Sequence, residues 1–238
     1  MSAGLQKITI FVSTTHIPGH MKVINLGENN SVLNTFIAEL RDIRIQKDSM
    51  RFRRNLERVG EVFAYEISKH LQYSEKEVTT PLGIATVSTP DTPLVIGTIL
   101  RAGLPLQTGM LNVFDHAETA FLVAFRKYGK GDYFKIKANY CTTPALEGKT
   151  LILADTMSAT GSSVEVGLQK LFEQGGGEPD YIHIVCPVTS TYAVDHLKQT
   201  MGDNVTLWVA AIDEELTSHF FVIPGIGDAG DLAFGGKL

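Results

Sequence analysis

Residues 151–163 of the chain read LILADTMSATGSS, a lone acid between an apolar run and a string of small hydroxylic residues. Residues 151–154 predict a buried strand, Asp155 stands where it ends, and the loop through Ser163 leads into a periodic apolar helix. At a helix N-terminus the unpaired N–H groups and the macrodipole favour an anion, and small residues let the backbone approach it. A carboxylate repels a bare phosphate, so the ligand that suits this pattern also brings hydroxyls or a divalent cation for Asp155 to hold. A sugar phosphate meets all of these conditions.

Two other expected strands end in functional residue types. Residues 94–100 (LVIGTIL) end at Arg101, and residues 120–125 (AFLVAF) end at Arg126. In open α/β sheets, ligands bind beyond the carboxyl ends of the strands. Two guanidinium groups aimed at the same edge as an anion loop match the oxygens of a highly phosphorylated ligand. The tail at 221–231 (FVIPGIGDAGD) adds glycines and a proline that fix an unusual backbone path, exposing N–H and C=O groups able to read a planar heterocycle. A disordered tail is the alternative for such a composition.

The elements that would hold these residues follow from periodicity. A strand is expected at 8–12. A first helix starts from Ser31, with Val32, Phe36, Leu40 and Ile43 on its apolar stripe, and a longer one carries Phe52, Leu56, Val59, Phe63, Ile67 and Leu71. A Thr-rich ribbon or arm spans 78–87, and the helix after Arg101 continues through Leu106, Met110 and Val113. Further strands are expected at 134–140, 181–188 and 205–211. The helix after the acid loop buries Val164, Leu168, Leu171 and Phe172 before Gly175, and another runs near 192–199. Strands alternating with helices imply a doubly wound α/β fold with a mainly parallel sheet.

With 238 residues and 26.0 kDa the chain is long enough for one large domain. A net charge of -5 disfavours a general nucleic-acid surface, and the cluster Arg51, Arg53, Arg54 and Arg58 reads as a solvated helix face. Cys141 and Cys186 sit in apolar surroundings and read as core thiols. His16 and His20 are separated by Pro18 and Gly19, which break the helix that would align them as metal ligands. No apolar run reaches the length of about 20 residues that a bilayer requires, so a cytoplasmic protein without a membrane partner is expected.

The loop at 155–163 resembles the phosphoribosyl-pyrophosphate (PRPP) motif of type I phosphoribosyltransferases. Residues 99–104 (ILRAGL) together with 223–231 (IPGIGDAGD) resemble the uracil phosphoribosyltransferase family, as more weakly do Leu40-Arg41-Asp42, Phe52-Arg53 and Tyr65-Glu66. The resemblance implies an N-terminal extension over 1–30 and a phosphoribosyltransferase domain over 31–238, with a β-arm and a base-binding hood at about 212–238. It implies conversion of uracil and PRPP to UMP and pyrophosphate with Mg²⁺, in a homo-oligomer. Asp155 would hold the ribose hydroxyls, and Thr156, Met157, Ser158, Ala159, Thr160, Gly161, Ser162 and Ser163 would form the PRPP loop, with 159–163 cradling the 5-phosphate. Arg101 and Arg126 would bind pyrophosphate, and Asp228 would face the ribose and the magnesium-bound pyrophosphate. Val222, Ile223, Gly227, Asp228 and Ala229 would form the uracil site, which contacts the base largely through backbone atoms.

Departures from the family pattern fall at Thr156, Ser158 and Ser162, where the family has proline, a bulky apolar residue and glycine. The loop after Arg126 is short, and Phe221 replaces a tyrosine. Altered affinity is the expectation, with a weakly active homologue or a PRPP-binding, pyrimidine-responsive regulator as the alternative. A purine or orotate enzyme predicts an acidic pair after the strand, where Thr156 stands instead.

Overall fold

A computed structural model of the chain describes residues 21–128 and 134–237, with the backbone alone for residues 125–128 and 134–138. The strand expected at 8–12 and the histidines His16 and His20 lie outside the described residues. In chain order the elements are β1 Lys22–Asn25, α1 Leu33–Arg41, α2 Ser49–Ser68, β2 Tyr73–Thr80, β3 Gly83–Pro90, β4 Leu94–Leu100 and α3 Gly103–Leu111. There follow β5 Glu118–Tyr128, β6 Phe134–Thr142, β7 Thr150–Ala154, β8 Met157–Ser158, α4 Ser162–Gly175, β9 Tyr181–Val185, β10 Val188–Ser190 and α5 Thr191–Thr200. The chain closes with β11 Val205–Val209, β12 Ala211–Asp213, β13 Glu215–Leu216, β14 Val222–Ile223 and α6 Ala229–Phe234.

Seven strands form the main sheet in the order β1-β11-β9-β7-β4-β5-β6, parallel throughout except for the β5–β6 pair. Side chains of β4 and β7 alternate between its faces. Ile96, Ile152 and Ala154 join the core beneath α1, α2 and α3, whereas Val95, Ile99, Leu151 and Leu153 join the core beneath α4 and α5. A strand buried on both faces is why these stretches read as unbroken apolar runs.

Some expectations change. Val32 and Ile43 are 61% and 70% exposed, and the buried stripe of α1 is Leu33, Ile37 and Leu40. Two overlapping ladders of three and four residues exist here, and contact with α2 selects the second. The strands expected at 181–188 and 205–211 each break in two. Pro187 has no N–H to continue the ladder, its carbonyl accepts the N–H groups of Ala210 and Ala211, and the chain bends into a second parallel sheet of order β12-β10-β8. Cys186 is fully buried, but Cys141 is only partly so. The ribbon forms as expected, as the antiparallel pair β2–β3, with Leu82 and Ile84 exposed at its tip.

The arginine cluster on α2 is engaged within the molecule. Arg51 pairs with Glu39 at 2.7 Å and Arg54 with Glu57 at 2.5 Å, while Arg53 donates to the Ala233 carbonyl at 2.6 Å and Arg58 lies over the Phe36 ring. No helix among the described residues is long and apolar enough to cross a membrane.

Candidate active site

β4 and β7 are neighbours in the sheet, yet the chain visits β5 and β6 between them, so the winding direction reverses there. Such a reversal opens a crevice beyond the carboxyl ends of the two strands. Arg101 follows β4 and Asp155 follows β7, with Thr98 and Ala154 in register just before them. The Leu100–Arg101 peptide is cis. Arg126 does not end its strand: β5 continues to Tyr128, and Arg126 stands opposite Ile136. The antiparallel partner β6 prolongs the ladder past the point where the apolar run stops, after a register shift between Val123 and Ala124. The Arg126 side chain lies outside the described ones.

Around the loop, inward and outward residues divide the work. Met157 and Ser158 form β8, and the side chains of Thr156 and Ser158 are buried. Ser158 Oγ accepts the Gly161 N–H at 3.2 Å, while the carbonyls of Ser158 and Ala159 accept the hydroxyls of Thr189 at 3.1 Å and Ser190 at 2.6 Å. Gly161, at φ 79°, is the left-handed residue that turns the chain into α4; a Cβ there would meet His196 Cδ2 at 2.9 Å. Thr160, Ser162 and Ser163 remain partly exposed, with 3.1 Å between the Thr160 and Ser162 hydroxyl oxygens. The loop is thus pinned from behind while its hydroxyls and the start of α4 face outward, an arrangement that suits an anion.

Asp155 is electrostatically distinctive. Burial pushes its pKa up to about 7 against the opposing N–H groups of Thr156 and Met157; the Thr156 N–H lies 2.8 Å from Oδ1. Without a ligand this carboxyl holds its proton far more readily than an ordinary aspartate does. A hydroxyl or cation brought beside it would favour the ionised form.

The tail is folded and closes over Arg101. Arg101 Nη2 donates to Asp231 Oδ1 at 2.6 Å and Nη1 to the Gly235 carbonyl at 3.0 Å. Asp228 caps α6 by accepting the Asp231 N–H at 3.0 Å, and Lys237 lies 3.3 Å from its other oxygen. Partial burial works against the Asp228 charge, but the Asp231 N–H and the Lys237 amine hold its pKa below the ordinary aspartate value. Val222 and Ala229 bury their side chains in the core, whereas Ile223 and Gly227 are exposed. Burying those side chains leaves mainly backbone for this segment to present outward.

Residues that sequence reasoning left without a role anchor this hood. Arg41 grips Asp213 bidentately at 2.9 Å and donates to the Gly225 carbonyl at 3.0 Å, and Asp213 accepts the Gly225 N–H at 2.9 Å. Gln46 donates to the Leu40 carbonyl at 2.8 Å and reaches the Ile226 carbonyl. The Leu40-Arg41-Asp42 tripeptide is the only sequence signal for Arg41, and Asp231 appears only as the last residue of the 223–231 motif; nothing local marks Asp213 or Ser190.

The reversed winding, the pinned anion loop and the hood define a phosphoribosyltransferase of the type I build, and the fold superimposes on that of the AQ2163 protein of Aquifex aeolicus. That pairing has a TM-score of 0.80 and 26% identity, covering 91% of this chain and 99% of the other. Residues 28–236 match the family model described as uracil phosphoribosyltransferase. The uracil phosphoribosyltransferase of Porphyromonas gingivalis is 50% identical over 218 residues, 92% of this chain and 100% of the relative. That of Thermococcus gammatolerans is 34% identical over 216 residues, covering 89% and 92%. The chain belongs to the uracil phosphoribosyltransferase family.

Proposed function

We propose that the crevice between β4 and β7 transfers the phosphoribosyl group of PRPP to uracil, giving UMP and pyrophosphate. The observation that carries this reading is the 50% identity to a uracil phosphoribosyltransferase across 92% of the chain. Within the crevice, residues 159–163 cradle the 5-phosphate and Asp155 accepts the ribose hydroxyls. Thr156, Met157 and Ser158 complete the PRPP loop as its framework. Arg101, Arg126 and Asp228 face the pyrophosphate side, and the backbone at Val222, Ile223, Gly227 and Ala229 reads uracil. Mg²⁺ would arrive bound through PRPP rather than to a protein ligand, with Asp228 facing the magnesium-bound pyrophosphate. Magnesium bound there supplies positive charge to the departing pyrophosphate.

Transfer needs no nucleophilic side chain. As the C1–O bond breaks, the pyrophosphate takes its electrons and the ribosyl centre becomes oxocarbenium-like; N1 of uracil attacks the opposite face with inversion and gives up its proton to solvent. The protein contributes positioning and charge neutralisation. For Arg101 to engage pyrophosphate it must exchange its contact with Asp231 for the ligand, which the partly exposed pair permits. Self-association belongs to the same reading, supported by the exposed Leu82 and Ile84 on the β2–β3 ribbon.

Incubating the protein with PRPP and Mg²⁺ and one of uracil, cytosine, hypoxanthine or orotate tests the reading. UMP formation should exceed every other product by several orders of magnitude, because a base that mismatches the backbone leaves buried polar groups unpaired. Arg101→Ala should lower kcat by roughly 10²–10³. Equal use of hypoxanthine or orotate would refute the base assignment, and unchanged turnover in the variant would refute the role of Arg101.

A further inference from the structure

The sheet has a second end. Where the strands begin, a strand's length (roughly 15 Å) from Asp155, a cavity of about 450 Å³ opens among the first residues of β1, β7, β9 and β11. Lys22 starts β1 and Tyr181 starts β9, His183 and Thr206 follow on β9 and β11, and His70 and Asp180 complete the wall. None of these residues takes part in the crevice described above.

His183 is the informative member. It is 3% exposed, and its Nδ1 accepts the indole N–H of Trp208 at 3.0 Å. Burial, with His70 beside it, pushes its pKa down to about 4, so the ring is neutral near pH 7 and its one proton sits on Nε2. That N–H has no partner among the described residues, and the ring lines the cavity. The donor opens onto the cavity, where the acceptor of a ligand can meet it.

The remaining walls say what kind of ligand would complete it. Tyr181 is fixed by a 2.8 Å hydrogen bond to Thr206, and its ring tilts 48° against His183 with centroids 4.9 Å apart, giving an aromatic wall. Lys149 also borders the cavity, but Glu118 neutralises it. Lys22 is exposed and has no ion-pair partner among the described residues. One unpaired amine suits a single anionic group, and the Asp180 carboxylate suits hydroxyl donors. The volume lies within the range of small-molecule sites.

We propose that this cavity is a second binding site, for a ligand of the nucleoside monophosphate class. Its flat heteroaromatic ring lies against Tyr181 and accepts the His183 N–H, its hydroxyls face Asp180, and its anionic group reaches Lys22. The site is independent of the phosphoribosyl transfer assigned to the crevice.

Trp208 is the only tryptophan of the chain and touches His183, so its fluorescence reports on this cavity. The full-length protein, with saturating PRPP and Mg²⁺ keeping the crevice filled, is titrated with AMP, adenosine or inorganic phosphate. AMP should give a saturable change with at least tenfold tighter binding than adenosine or phosphate. Lys22→Ala should weaken AMP about tenfold while uracil-dependent turnover stays at the wild-type rate, which also certifies that the variant is folded. No saturable change at millimolar AMP, an AMP response seen only when PRPP is omitted, or wild-type affinity in Lys22→Ala would each overturn the proposal.

Discussion

At Asp155 a carboxyl group sits just past the end of β7, with two backbone N–H groups and no cation to offset its desolvation. An acid whose pKa is raised by folding keeps its proton in the native chain after the unfolded chain has lost it. Stability therefore falls as pH rises from the unfolded value near 3.8 to the folded value of about 7, and is flat above that. Asp155→Asn removes this dependence. The variant should gain on the wild type as pH climbs through that window, by at most about 1.4 kcal/mol per pH unit, as read from urea unfolding of the ligand-free proteins. A pH-independent difference would mean that Asp155 titrates normally. His183 runs the other way: its depressed pKa makes stability fall as pH drops from about 6.5 towards 4. The two contributions oppose each other over that range, so the variant comparison, rather than the wild-type curve alone, isolates Asp155.

The loop at 155–163 is held by an element with no visible connection to it when the sequence is read along the chain. The Ser190 hydroxyl donates to the Ala159 carbonyl at 2.6 Å and accepts the Ala193 N–H at 2.9 Å, joining the loop to the start of α5. Replacing it by alanine removes both the α5 cap and the loop anchor. Ser190→Ala should cost about 1–2 kcal/mol of stability and raise the KM for PRPP several-fold, with the KM for uracil unchanged. Chemical unfolding and steady-state kinetics with each substrate varied would check this, and an equal rise in both KM values would contradict a role confined to the loop. Thr156 and Ser158 add no exposed hydroxyls to this loop, because both side chains are buried.

Across the whole molecule, the hood and the sheet are tied through α1 and α2. Arg41 and Asp213 lock the hood at Gly225, and the helices beneath are pressed together at Gly109, where a Cβ would lie 1.8 Å from the Glu57 carbonyl oxygen and 3.0 Å from the Glu61 nitrogen. Those neighbours are backbone and cannot swing aside. Gly109→Ala gains helix propensity of at most about 1 kcal/mol but must separate α2 from α3, and overpacking of this kind costs typically 1–3 kcal/mol or more. The net effect should be destabilising, seen as a lower urea midpoint; a stabilised variant would mean that the two helices are not in contact at Gly109.

Much of the fold was legible from local chemistry. Apolar runs at 94–100 and 151–154, the period of α2, and the acid followed by small residues at 155–163 all express backbone geometry and side-chain size over a few residues, and the sequence alone determined them. The tail motif likewise singled out the segment around Asp228. Only the tertiary structure decided the partners. Arg101 meets Asp231 across 130 positions, and Arg41 meets Asp213 across 172. It also decided which of two ladders α1 buries, where Pro187 bends the chain into a second sheet, and that β5 runs on past Arg126. The physical reason is the same in each case: these outcomes depend on which strands and helices become neighbours, and no local period or propensity carries that information.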